Sequence, residues 1–309
     1  MTAKVRVVKA QRSDLAGEIE DYLRACRARG VRPATIRDSY GYSLRGVLLP
    51  WCQSEGILSA AGIDTRTLER FAGELRDRVT REGNPLSAAT VWTYLKAANL
   101  FLKWYASEHD ATAPKIRLHQ PAGKKVDTLD RDQIRDLERA APTERDRVIV
   151  RLLADTGIRP GELISISGGD LRRSGNRHYV RVHGKTGERD APVSTALFGR
   201  LRSLSRGDDE PVFVSLRKDR RTGRHEPLKV NGVRQAIRDL GINVGLPSNL
   251  NPYVFRHSCC RWLLLSGQST VVVEAIMGHG SAEMIRKHYA NIGVDDAHDR
   301  LMTLLRSER

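Results

Sequence analysis

Apolar side chains recur at helical spacing through the first hundred residues. Leu15, Ile19, Leu23 and Cys26 form one stripe that ends at Gly30. Pro33 opens a second segment through Tyr42, Leu49 and Trp51 to Gly56. Asp64 is placed to cap a third, with Leu68, Phe71 and Leu75 on one face. Ser87 is placed to cap a fourth, carrying Val91, Tyr94, Leu95, Leu100, Phe101 and Trp104. No strand pattern intervenes, so residues 12–108 read as a small domain of four helices. Residues 109–127, HDATAPKIRLHQPAGKKVD, lose this periodicity and mix Pro, Gly and Lys. They read as a linker, either a solvated tether or a basic segment lying against an anionic partner.

From Thr128 the pattern changes. Helices are expected at 130–140 and 144–156, followed by short β-branched or aromatic runs: HYVRV (178–182), APV (191–193) and VFVS (212–215). HGKTGERD (183–190) reads as the turn between the first two. From about 228 the chain reads helical to its end, with breaks at 245–252, 266–269 and 278–281. Residues 128–309 therefore read as a second, mixed α+β domain with a small antiparallel sheet, and the chain as a whole as mainly α.

Charge narrows the choice of partner. The 309 residues carry a formal net charge of +15. Residues 1–125 hold 21 Lys+Arg against 13 Asp+Glu, a net of +8, and residues 126–309 hold 31 against 24, a net of +7. An excess spread over both halves suits a long polyanionic footprint, either nucleic acid or an anionic membrane. The N-terminus, MTAKVRVVKAQRSD, lacks the apolar core of a signal peptide, and no run of about 18 apolar residues follows, which disfavours a membrane. Cys26, Cys52, Cys259 and Cys260 form no CxxC pair, so neither a disulfide framework nor a zinc site is expected, and a reducing cytosol fits.

Four clusters carry candidate chemistry. In LLADTGIRPGELISI (152–166), Gly157 breaks a helix, Pro160 and Glu162 suit the first turn of the next, and Arg159 sits at the junction with Glu162 near enough to orient it. A guanidinium there matches a phosphate in two-pronged geometry. In HGKTGERD, Lys185 falls at a hairpin tip. In NPYVFRHSCCRWLLLSG (251–267), Tyr253 and Arg256 are three apart and share a helix face, while His257 points elsewhere, toward the interior. In VEAIMGHGSAEMIRKHYANI (273–292), Gly278 ends a helix, His279 lies in the turn and Tyr289 on the next helix. Each residue alone has a plain reading: a helix-end arginine, a solvated lysine, a packing tyrosine.

In order, however, Arg159, Lys185, the YxxRH of 253–257, the GH of 278–279 and Tyr289 resemble the tyrosine recombinase (phage integrase/Xer-like) family. The resemblance implies an N-terminal four-helix, SAM-like core-binding domain and an α+β catalytic domain, closing on DNA as a C-shaped clamp. It places Arg159 and Arg256 on the two catalytic arginines, Lys185 on the hairpin lysine that acts as general acid, His279 on the His/Trp position and Tyr289 on the nucleophile. Tyr253 stands where the family usually has His, which weakens a general-base role there but leaves a phenol able to donate a hydrogen bond. The implied reaction is site-specific DNA cleavage and rejoining through a 3′-phosphotyrosyl link, with strand exchange through a Holliday junction. Bond energy stays in that link, so no cofactor or metal is expected.

The implied partners are double-stranded DNA with an inverted-repeat core site and a homotetramer in the synapse, from a monomer or weak oligomer when free, with no membrane. The implied setting is cytoplasmic and nucleoid-associated, bacterial or phage-encoded. The tail 294–309 is amphipathic at Ala297, Leu301 and Leu304–Leu305, and docks on a neighbour or folds back on its own domain. With the first core helix beginning near residue 13, no arm-binding domain is expected, which leans toward a compact mobile-element integrase over a Xer-type resolvase of replicon dimers. A type IB topoisomerase-like enzyme and a DNA-binding protein without catalysis are the remaining alternatives. Chain length and the separate helical domain argue against the first, and the intact set of five residues against the second.

Overall fold

The computed structural model describes residues 14–80, 82–121, 127–184 and 187–278. The chain divides into two compact units, residues 1–123 and 124–309.

In the first unit, α1 (Leu15–Ala28) begins where the Asp14 carboxylate accepts the N–H of Gly17 at 2.8 Å. Next come α2 (Pro33–Thr35), two π-helical stretches (Ile36–Gly41 and Leu44–Leu48) and α3 (Leu49–Ser54). Gly41 permits the wider turn, since a side chain there would lie 2.7 Å from the Ile36 carbonyl oxygen. This winding corrects the second apolar stripe. Tyr42 is 58% exposed and Leu49 and Trp51 are half-buried, while Ile36, Leu44, Val47, Leu48 and Cys52 are buried instead. Bonds spanning five residues rotate the faces away from a 3.6-residue count. α4 (Thr65–Asp77) and α5 (Ala88–Glu108) start at Asp64 and Ser87, whose side chains accept the N–H groups of Thr67 and Thr90 as expected.

Ile19, Leu23, Leu48, Leu68, Phe71, Leu75 and Phe101 fill the core of this unit. The aperiodic segment after α5 is anchored to it. Asn99 Nδ2 donates to the carbonyl of Ile116 at 2.9 Å and its Oδ1 accepts the Ile116 N–H at 3.1 Å, while Ile116 and Leu118 pack on the core.

The second unit is built around α7 (Glu144–Thr156), whose Val148, Ile149, Val150, Leu152, Leu153 and Ala154 are all buried. α6 (Arg131–Ala140) packs beside it, started by a reciprocal cap between Asp130 and Gln133. The short α8 (Pro160–Ile164) leads into an antiparallel sheet in the order β1 (Leu171–Ser174), β2 (Arg177–Gly184), β3 (Gly187–Val193). Val180, Val182 and Ala191 face its core. The β2–β3 register runs to Gly184 opposite Gly187, so the expected eight-residue turn is strand for most of its length. Its exposed positions are charged and paired across the strands, which hides the apolar alternation.

α9 (Thr195–Leu204) follows, then a second small sheet of β4 (Val214–Lys218) and β5 (His225–Pro227). α10 (Val230–Asn243), α11 (Pro252–Leu265) and α12 (Thr270–Met277) complete the described chain. Cys259, Cys260, Leu263, Val273 and Met277 form a minor core of α11 and α12 residues. All four cysteines are free and buried. No helix among the described residues is long and apolar enough to cross a membrane.

Candidate active site

The site grows from the end of α7. Gly157 closes that helix in the left-handed region at φ +59°, and a side chain there would meet Met277 Cε at 2.8 Å and Cys259 Cβ at 3.3 Å. Glycine is required both by conformation and by the approach of α11 and α12. The Gly157 carbonyl accepts Nη1 of Arg256 at 2.6 Å. Arg256 projects inward from α11 and is 5% exposed.

Two residues on, Arg159 precedes α8. Glu162 reaches back to accept the Arg159 N–H at 2.9 Å and its Nη1 at 2.8 Å, and Nη2 donates to the carbonyl of Gly278 at 3.3 Å. The orienting role expected of Glu162 is therefore present. Its carboxylate has a second cation: Arg189 of β3 donates Nη1 at 3.2 Å and Nη2 at 2.9 Å, while Nε donates to the Ile276 carbonyl at 3.3 Å. Burial alone would raise the Glu162 pKa, but the hydrogen bonds from Arg189 and the Arg159 backbone outweigh it and hold the group at about 2. One carboxylate shared by two guanidinium groups leaves an excess positive charge, and the Arg159 side chain remains 25% exposed.

The hairpin lies close to the same carboxylate. A side chain on Gly184 would sit 2.7 Å from Glu162 Oε1, so the glycine before Lys185 allows this approach. Gly278, which ends α12 at φ +61° as expected, is packed against Arg189, whose Nη1 would lie 2.7 Å from a side chain there. The structure thus gathers Arg159, Arg256 and the residues preceding Lys185 and His279. Lys185, His279, Tyr289 and the tail 294–309 lie outside the described residues.

Tyr253 does not share the environment of Arg256: it is 43% exposed, and its N–H is capped by Asn251 at 3.0 Å. Three positions along a helix leave an offset of about 60°, enough to turn one side chain out and the other in. His257 is half-buried, not interior, and lines with Tyr253, Asn249 and Gln133 an open cavity of about 430 Å³. Arg189 was missed from the sequence. The available signal was period two: Arg189 falls on the same side of β3 as buried Ala191, so its charge had to find an internal partner. Among the described residues no group of three or more His, Cys, Asp or Glu could hold a metal ion.

The family model described as the phage integrase family matches residues 127–294, more than half of the chain. The chain belongs to the phage integrase family. Among its curated relatives, tyrosine recombinase XerA of Saccharolobus solfataricus is 27% identical over 254 residues, covering 79% of this chain and 80% of the relative. The fold of this family member also matches that of the Tn1549 transposon integrase solved with transposon right end DNA, with a TM-score of 0.68 at 16% identity, covering 93% of this chain and 99% of that one. The lambda integrase tetramer bound to a Holliday junction gives a TM-score of 0.68 at 17% identity, covering 92% and 80%. The mainly helical architecture with small antiparallel sheets expected from the resemblance is thus shared with these recombinases, and family membership supports site-specific recombination of DNA.

Proposed function

We propose that this phage integrase family member is a site-specific recombinase that cleaves and rejoins double-stranded DNA through a 3′-phosphotyrosyl link to Tyr289. The observation that carries this reading is that Arg256 binds the Gly157 carbonyl two residues before Arg159, whose guanidinium is braced on Glu162 and the Gly278 carbonyl, with the chain entering Lys185 and His279 packed on the same arginine–glutamate cluster. Attack by the Tyr289 oxygen on the phosphodiester builds negative charge on the phosphate oxygens, which the two guanidinium groups and the His279 imidazole stabilise. The free phenol has a pKa of about 10, so it gives up its proton to solvent water as it attacks. Lys185 donates a proton to the departing 5′ oxygen. Tyr253, exposed one turn before Arg256, donates a hydrogen bond to the phosphate. Bond energy is kept in the phosphotyrosine, so attack by a second 5′ hydroxyl reverses the step.

The partners in this reading are DNA with an inverted-repeat core and three further copies of the chain, exchanging strands through a Holliday junction. The lambda integrase likeness supports that arrangement. The Tn1549 integrase likeness fits a mobile-element integrase. XerA among the relatives favours a second role for the same chemistry, the resolution of replicon dimers. Sequencing the DNA joined to the protein separates the two roles. Chemistry at Tyr289 is tested with a nicked suicide duplex on a denaturing gel. Wild type forms a covalent adduct, and Tyr289→Phe binds the duplex without forming one; an adduct with the Phe variant overturns the assignment.

A further inference from the structure

We propose that Arg189 is a positioning residue for DNA cleavage, setting the charge and placement of Arg159 through their shared carboxylate and fixing the end of α12 from which His279 follows. This rests on the recombinase reading. Arg189 spends its whole fork internally, with both Nη atoms on Glu162 and Nε on the Ile276 carbonyl. Its side chain is 13% exposed, on the inward side of β3, so it is poorly placed to grip DNA itself. Gly278 packs its backbone against the Arg189 side chain, and Arg159 holds the Gly278 carbonyl. Three separate pieces of chain, namely β3, the start of α8 and the end of α12, are thus referenced to one guanidinium.

The electrostatic consequence is specific. With Arg189 present, Glu162 divides its charge between two cations and Arg159 keeps positive character for a phosphate. Without Arg189, the same buried carboxylate neutralises Arg159 alone and draws it inward. A residue that merely filled space would have no such effect on Arg159.

The test is single-turnover adduct formation on the nicked duplex, with DNA affinity measured in parallel, for Arg189→Ala, Arg189→Lys, Glu162→Gln and the double variant Glu162→Gln/Arg189→Ala. Arg189→Ala is expected to slow adduct formation on the order of a hundredfold, as displaced catalytic groups do, with DNA affinity unchanged. Arg189→Lys keeps the charge but not the fork, and stays about tenfold slow or worse. The double variant is expected to cleave no more slowly than the slower single variant, since Glu162→Gln removes the charge that burdens Arg159. Wild-type rates in the Lys variant, or losses that multiply in the double variant, overturn the proposal. Should the Ala variant fail to fold, the Lys variant decides. The ¹H–¹⁵Nε resonance of Arg159 reads the coupling without cleavage: it shifts in Arg189→Lys, and an unmoved resonance refutes the link even if wild type forms no adduct, an outcome that would strike the recombinase reading instead.

Discussion

Glu162 is 3% exposed and nevertheless ionised, because two guanidinium groups and a backbone N–H repay its lost hydration. Its depressed pKa contributes stability that is full above the ordinary carboxylate value of 4.5 and is lost as pH falls toward about 2. Its charge also sets the orientation of Arg159, so the two arginines proposed to bind the phosphate are held differently. Arg159 is braced by a carboxylate and partly open, whereas Arg256 is buried on the Gly157 carbonyl. Arg159→Ala and Arg256→Ala are each expected to lose roughly 10²- to 10³-fold in cleavage rate on the suicide duplex, the typical effect of removing one transition-state donor, with modest loss of binding. Normal cleavage by both would show that the active site is elsewhere. Arg256→Ala also removes the Gly157 contact, so its melting temperature should fall more than that of Arg159→Ala.

At the scale of elements, the β2–β3 hairpin that precedes and follows Lys185 in sequence is tethered near its turn end by His183. Nε2 lies 3.0 Å from Asp170 Oδ1 and Nδ1 3.0 Å from Glu188 Oε1. The hydrogen bond to Asp170, helped by that to Glu188, raises the imidazole pKa above its ordinary 6.5. A raised folded-state pKa stabilises fully below the unfolded value and loses its effect as pH rises through the folded value. Thermal stability should therefore decline as pH climbs above 6.5, and His183→Gln should flatten that decline; an unchanged pH profile in the variant would show that the tether is inert. These elements were unequally legible. The caps at Asp64 and Ser87 and the breaks at Gly157 and Gly278 were readable because each is dictated by local backbone chemistry. The π-helical winding of 36–48 and the full length of the hairpin were not, because long-range packing and cross-strand charge pairs set them, whereas α9 was missed although Ser194 supplies the same local cap.

At the scale of the whole molecule, both halves are basic, with a total formal charge of +15. Binding that rests on six to ten phosphate contacts loses about 10³- to 10⁵-fold in affinity between roughly 50 and 200 mM salt. A loss of that size is expected for duplex DNA, and an affinity nearly independent of salt would remove the electrostatic account. The site was legible in part. Order along the chain exposed Arg159 and Arg256, because family resemblance weighs residues together; it gave no hint that Tyr253 and Arg256 would part company in burial, or that Arg189 would complete the Glu162 cluster, because both depend on packing across elements. The most direct test of the central claim is to trap the protein on a nicked duplex, digest both polymers and locate the nucleotide-bearing peptide by mass spectrometry. The account predicts a 3′-phosphonucleotide on Tyr289; the same adduct on any other side chain, or none from active protein, would contradict it.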